Sequence, residues 1–337
     1  MEQLTLVETG RIEWREVPEP RIEGPDEAIV RPLAVTRCDI DLPYVTGLLP
    51  PPRAFALGHE CVGEVVAVGD GVRSVRPGAR VIVPFQISCG RCPRCLRGHT
   101  GSCAAVPFLS AFGLPLQARE WGGALSDAIR VPFADAMLVP APADVPAWWL
   151  AAVADNASDG WRCVAPHLAA FPGAPVLIVA GVAPSIALYA ADAALALGAE
   201  RVDVLSPDVA TLSVAERIGA KPIESGYDGK RGPYPITVDA SGIPDGLQVA
   251  IRSTDLEGVC VSPVYYLGDV PVPMGKMYTK GIRLETGRCH ARSVIPEVAE
   301  ATARGRLHPD AIANTRVRWR DAATAMAEPA VKLVVER

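Results

Sequence analysis

The segment CGRCPRCLRGHTGSC places Cys89, Cys92, Cys95 and Cys103 in the spacing C-x2-C-x2-C-x7-C. Two-residue gaps let a tight turn aim successive sulfurs inward, and the seven-residue gap lets the chain loop back. Zinc takes four thiolates at tetrahedral corners, about 2.3 Å from the metal, when its role is structural. Protein fills all four positions here and leaves none open for a substrate, so the pattern reads as a structural zinc lobe over about residues 86–106. An iron–sulfur cluster also takes four thiolates, but its usual spacings differ from this one. The remaining alternative is four unrelated thiols on a basic loop.

A second set of candidates is scattered. Cys38 lies in TRCDID, His59 and Glu60 lie in GHECVGEVVAVGDGVRSVRPGARV, and Asp155 lies in ADNASDGW. Singly, each has an ordinary reading. A lone cysteine is most often a small buried hydrophobe. A histidine after glycine is most often a turn residue, and an aspartate before asparagine suits a helix N-cap.

Taken in order, with the cysteine lobe following them, these segments resemble the zinc-binding alcohol dehydrogenases of the medium-chain dehydrogenase/reductase family. The resemblance runs over essentially the whole chain. It implies a second, catalytic zinc with Cys38 and His59 as ligands and Glu60 as a neighbouring acid able to swing onto the metal. One branch of the family uses aspartate as third ligand in the pattern Asp-x-x-x-x-Gly-aromatic, which points to Asp155. Asp41 matches the acid that accepts the free N–H of a ligand imidazole and so fixes the ring. Three protein ligands and one open position suit Lewis-acid chemistry: a cation stabilises an alkoxide, and hydride then leaves carbon for a nicotinamide. The implied activity is zinc-dependent hydride transfer between NAD(P)(H) and an alcohol/aldehyde or ketone. The substrate is expected in a cleft between two domains.

Two positions depart from the family pattern. Two residues after Cys38 the family usually has a hydroxyl that passes the alcohol proton toward solvent; Ile40 stands there and cannot hydrogen-bond. The expected G-x-G-x-x-G turn, whose glycines allow close approach to a pyrophosphate, reads AGVAPSIA. Only Gly181 remains, and Ala187 is taken as the helix-packing position. Ser185 is a candidate phosphate contact or helix cap. Ser206 stands where an acid normally holds the ribose 2′-OH, with Asp208 two residues on. This leans toward NADP over NAD, although no arginine adjoins Ser206. These departures leave a second reading open: a descendant that keeps zinc but binds no dinucleotide and moves no hydride.

The elements that must position these residues divide at a Pro- and Ala-rich junction, 141–149. Before it, short apolar runs at 27–30, 63–68 and 79–83 are separated by Gly, Pro and Asp, which reads as antiparallel strands and a small barrel. After it, apolar strands alternate with helices: PVLIVAG, SIALYAADAALALGA, RVDVLS, DVATLSVAERIGA, PITVDASG, LQVAIRSTD and GVCVSPVYY. Continuous apolar strands between helices mean a parallel sheet covered on both faces. SVIPEVAEATARGRLH reads as a helix capped by Ser293 and ending near Gly305, and VKLVVER as a closing strand. The expected fold is thus α/β plus β: a GroES-like β-barrel catalytic domain over 1–150, a doubly wound Rossmann domain over 151–287, and a return to the catalytic domain over 288–337.

The 337 residues exceed the ~250–300 at which single cores stop growing, which supports two domains. The net charge of −5 gives no basic footprint for nucleic acid or a membrane surface. The N-terminus has no basic and apolar leader, and the apolar stretch after residue 175 is broken by Pro184, Ser185 and Asp192. A cytoplasmic chain acting on small molecules is expected, as a homodimer or homotetramer. The count of nine cysteines is odd and argues against a disulfide framework. Cys61, Cys163, Cys260 and Cys289 read as core. His99 reads as surface, and His167, His290 and His308 have no ligand spacing. Trp161 reads as pocket or core, and the region 108–121 carries no assignable pattern.

Overall fold

The computed structural model describes residues 1–115 and 121–337. It divides into two compact units. The first holds Met1–Ser158, His290–Arg304 and Ala313–Arg337; the second holds Asp159–Cys289 and Gly305–Ile312.

The first unit is built on antiparallel pairing. Strands Glu2–Glu8 and Arg11–Glu16 form a hairpin, with the short strand Phe55–Ala56 on the other side of Glu2–Glu8. A larger sheet runs in the order Thr315–Arg318, Leu333–Glu336, Ala28–Thr36, Glu60–Val68, Arg80–Val83 and Val139–Pro140; Ile129–Val131 also pairs with Ala28–Thr36. Inward-facing side chains such as Val30, Val35, Val65, Val81 and Val335 form its core. Burial of such residues stabilises by about 1.5–3 kcal/mol each. The register places the chemistry: Thr36 pairs with Glu60 on one side and with Val334 on the other. The ends of three strands therefore meet beside His59, Cys38 and Lys332.

The second unit is a six-stranded sheet in the order Lys221–Glu224, Val202–Ser206, Val176–Ala180, Tyr234–Ala240, Thr254–Ser262 and Arg283–Thr286, and every pair is parallel. The central strand Val176–Ala180 is buried at every residue. Helix Pro184–Ala196 opens with proline in its first turn, where the missing N–H has no intrahelical partner to lose, and is buried along nearly its whole length.

Several expected boundaries move: the first unit runs to Ser158 rather than 150, the second to Cys289 rather than 287, and Gly305–Ile312 belongs to the second unit rather than to the return over 288–337. The helix after the second unit spans Ala291–Ala303, with His290 rather than Ser293 at its cap position. Ser293 lies inside the first turn, and its hydroxyl donates to the carbonyl of Gly98 at 2.6 Å. Among the described residues no helix is long and apolar enough to cross a membrane.

Candidate active site

Gly58 precedes the strand that carries Glu60 and has φ +90°; a Cβ there would stand 2.8 Å from the backbone nitrogen of Leu125. Only glycine accepts that backbone at that distance, and the turn it makes delivers His59 inward. Cys38 follows the strand Ala28–Thr36, and Asp155 precedes the helix Asn156–Ala170. Residues distant in sequence thus converge: the ligand atoms of Cys38, His59 and Asp155 all lie within 4.8 Å of one another. Cys38 Sγ is 3.3 Å and His59 Nε2 3.5 Å from the same carboxylate oxygen of Asp155. All three side chains are buried.

Asp41 sits behind the imidazole. Its Oδ1 is 3.6 Å from His59 Nδ1, and its Oδ2 accepts the backbone N–H of Cys38 at 2.9 Å. His59 Nδ1 and Asp41 Oδ1 are buried, face each other and have no hydrogen-bond partner among the described residues. A proton on Nδ1 facing Asp41 leaves the Nε2 lone pair aimed at Cys38 and Asp155, as a metal ligand requires.

The electrostatics ask for a cation. Burial pushes the Cys38 thiol well up, and the charges of Asp155, Glu60 and Asp41 push it further. Burial pulls His59 down, but Asp41, Asp155 and Glu60 outweigh it and carry the ring to about 9. Burial also raises Asp41 and takes Glu60 to about 7, although Lys332 opposes the second shift. Soft sulfur, imidazole nitrogen and carboxylate oxygen, enclosed with excess negative charge, form a donor set that fits Zn2+ with one position open.

Among the described residues the four cysteines form the other group of convergent ligand atoms, again within 4.8 Å. Backbone N–H groups point at the sulfurs: Cys89 and Ala105 donate to Cys103 Sγ and Ala104 to Cys92 Sγ, each at 3.4 Å. The Ala104 bond, with that of Cys95, brings the Cys92 thiol down to about 6, which favours the thiolate. His290 Nδ1 accepts the N–H of Gly101, and the His99 and His290 rings stack at 5.2 Å. His290 thus anchors the lobe and stands outside both ligand groups.

The alcohol dehydrogenase GroES-like domain model matches residues 24–143. A medium chain reductase/dehydrogenase from Acremonium sp. is 32% identical over 61% of this chain and 70% of its own length. The chain belongs to the medium-chain dehydrogenase/reductase family. Zinc-type alcohol dehydrogenase B of Aspergillus flavus is 26% identical over 86% of this chain and 69% of its own length. The solved alcohol dehydrogenase TADH from Thermus sp. ATN1 superposes with TM-score 0.89 at 25% identity, covering 100% of this chain and 99% of that one.

The turn after Val176–Ala180 keeps only one glycine of the G-x-G-x-x-G pattern, Gly181. Gly181 survives for a steric reason: a Cβ there would stand 2.5 Å from Ser241 O and 2.7 Å from the Tyr227 hydroxyl. The N–H groups of Val182 and Ala183 donate to the carbonyls of Ser241 and Ala240, and Pro184 has none. Counted from Gly181, the third glycine of G-x-G-x-x-G falls on Ile186, not on the Ala187 expected above; both are buried on the helix. Ser185 is fully enclosed. Ser206 is also enclosed, and its hydroxyl accepts the N–H of Asp208. Asp208 caps the helix Val209–Arg217, accepting from Ala210 N, Thr211 N and the Thr211 hydroxyl.

Three contributors escaped the sequence reading. Thr36 donates its hydroxyl to Glu60 Oε2. Lys332 Nζ lies 2.6 Å from the same oxygen and 2.6 Å from Asn156 Oδ1. Asn156 donates its backbone N–H to Glu60 Oε1 at 3.1 Å. The available signal for Lys332 was a lysine inside an apolar closing strand, which has to find a buried partner. The other histidines lie outside both ligand groups: His167 meets Glu285 and His308 meets Asp192. Cys61, Cys163, Cys260, Cys289 and Trp161 are buried. Within the region 108–121, residues 116–120 lie outside the described residues.

Proposed function

We propose that this chain is a zinc-dependent alcohol dehydrogenase or carbonyl reductase, with Cys38, His59 and Asp155 holding the catalytic metal. The observation that carries the assignment is the buried convergence of those three ligand atoms, with Asp41 behind the imidazole. A zinc ion held there supplies Lewis-acid stabilisation of negative charge on a substrate oxygen. The rest is the work of side chains. Asp41 keeps the His59 Nε2 lone pair inward. Thr36, Lys332 and the Asn156 N–H hold Glu60 by both oxygens beside the ligands. Ile40 carries no proton, so the proton leaves by a route that does not use that side chain.

NADP is favoured over NAD. An acid at the end of the strand Val202–Ser206 would select the free ribose, but Ser206 stands there, and the carboxylate of Asp208 is engaged as a helix cap. Gly181, Ser185 and Ser206 are assigned to the dinucleotide site, and Cys89, Cys92, Cys95 and Cys103 to a structural zinc. A homodimer or homotetramer is supported by exposed apolar side chains on the second unit, Tyr265, Leu267, Met274 and Tyr278.

The test is a panel of alcohols with NAD+ and NADP+, and of aldehydes and ketones with the reduced forms, followed at the nicotinamide absorbance band. Zinc-loaded protein is expected to turn over members of the panel, and His59→Ala to abolish that turnover. Unchanged turnover in His59→Ala contradicts the metal assignment.

A further inference from the structure

We infer that Asn156 is a positioning residue for the Cys38–His59–Asp155 centre, its amide locked by Lys332 so that its NH2 group donates to the Cys38 sulfur and the Asp155 carboxylate. The inference rests on the reading that those three residues hold the metal.

The direction of the amide follows from what its neighbours can do. A lysine ammonium only donates. Lys332 Nζ lies 2.6 Å from one end of the Asn156 amide, so that end is the oxygen. The nitrogen end then faces Cys38 Sγ and Asp155 Oδ2, each at 3.2 Å, and both are acceptors when ionised. Two N–H bonds meet two acceptors. Reversing the amide would set its oxygen against sulfur and carboxylate and its NH2 against the ammonium.

The rest of the residue fixes its place. The backbone N–H of Asn156 donates to Glu60 Oε1, while Lys332 also binds Glu60 Oε2. Glu60, Lys332 and Asn156 therefore form a closed ring of contacts against the ligand pair. All three side chains are buried, so water does not compete for these bonds. A capping role does not account for the arrangement: a capping side chain accepts an N–H from its own helix, whereas both ends of this amide face other elements.

Donation to the thiolate draws electron density off the sulfur. The sulfur then gives less to the metal, which stays the stronger Lewis acid, and the Asp155 carboxylate is held in one orientation. Such partners typically change metal affinity by about 10–100-fold when removed.

The experiment places cobalt(II) at the Cys38 site with zinc left in the cysteine lobe. The thiolate-to-cobalt charge-transfer band is isolated as the difference from Cys38→Ser. Asn156→Ala is expected to move the band to longer wavelength, because a sulfur relieved of its hydrogen bond gives up an electron more easily. Asn156→Asp keeps an acceptor for Lys332 but has no N–H; it should move the band the same way and serves if the alanine variant does not fold. A band unmoved in folded, cobalt-loaded Asn156→Ala or Asn156→Asp overturns the inference and leaves the ligand assignment standing. No band in the wild-type difference overturns the ligand assignment itself.

Discussion

Lys332 Nζ lies 2.6 Å from Glu60 Oε2, and both side chains are completely enclosed. The pair joins the last strand of the chain, Leu333–Glu336, to the residue after His59, so the C-terminal segment completes the candidate active site. Removing one partner of a buried pair leaves an uncompensated charge and typically costs about 3–5 kcal/mol. Lys332→Met is expected to lower stability by that order in urea denaturation of the metal-loaded protein. A loss near zero would mean that the pair contributes nothing beyond filling space.

The cysteine lobe gives a prediction on metal content. Wild-type protein should carry two zinc ions per chain, one for each convergent ligand group. Cys103→Ser should carry one and should melt at lower temperature or aggregate, because in such sites metal binding is coupled to folding. Elemental analysis with a thermal scan checks both. A Cys103→Ser variant with wild-type zinc and wild-type melting would refute the structural role.

Gly181→Ala tests the altered turn. The added methyl would meet the Ser241 carbonyl at 2.5 Å, and that backbone is fixed by its own bond to the Val182 N–H. Overpacking of this kind costs about 1–3 kcal/mol. Denaturant unfolding should show that loss, and dinucleotide affinity should fall with it. Unaltered stability and affinity would show that the turn yields freely.

A pH dependence follows from Asp239 in the second unit. Burial raises its carboxyl, while donors from Ser241, Tyr266 and Ser262 pull it back. A raised folded value means that the folded state holds the proton more tightly than the unfolded chain. The stability this contributes is full below the ordinary carboxylate range and is lost as pH rises through the folded value. Ser262→Ala removes the 2.8 Å donor to Asp239 Oδ2 and so raises the group further. Its destabilisation should therefore be larger at neutral pH than in acid, by up to about 1.5–3 kcal/mol for a bond to a charged group. Equal destabilisation at both pH values would show that Asp239 is not the group responsible.

The parallel sheet was legible where its strands are buried on both faces. Val176–Ala180, Val202–Ser206 and the buried half of Thr254–Ser262 from Gly258 on announce themselves as apolar runs. The two outermost strands, Lys221–Glu224 and Arg283–Thr286, are mostly exposed and polar, and neither stands out in the sequence. Edge strands need only backbone pairing, so their side chains carry little pattern. The convergence of the four cysteines was legible because they are local in sequence. The scattered candidates needed a family resemblance, since no spacing rule links Cys38, His59 and Asp155. Asn156 was not legible, and Lys332 only as a charge in an apolar closing segment: their roles depend on a register that pairs Val334 with Thr36 and Thr36 with Glu60.

The measurement that bears most directly on the account is a fluorescence titration of zinc-loaded protein with NADH and NADPH. The account predicts saturable binding through the second unit despite the lost glycines, with NADPH the tighter of the two. Binding of neither to a folded, metal-loaded protein would contradict hydride transfer by this chain.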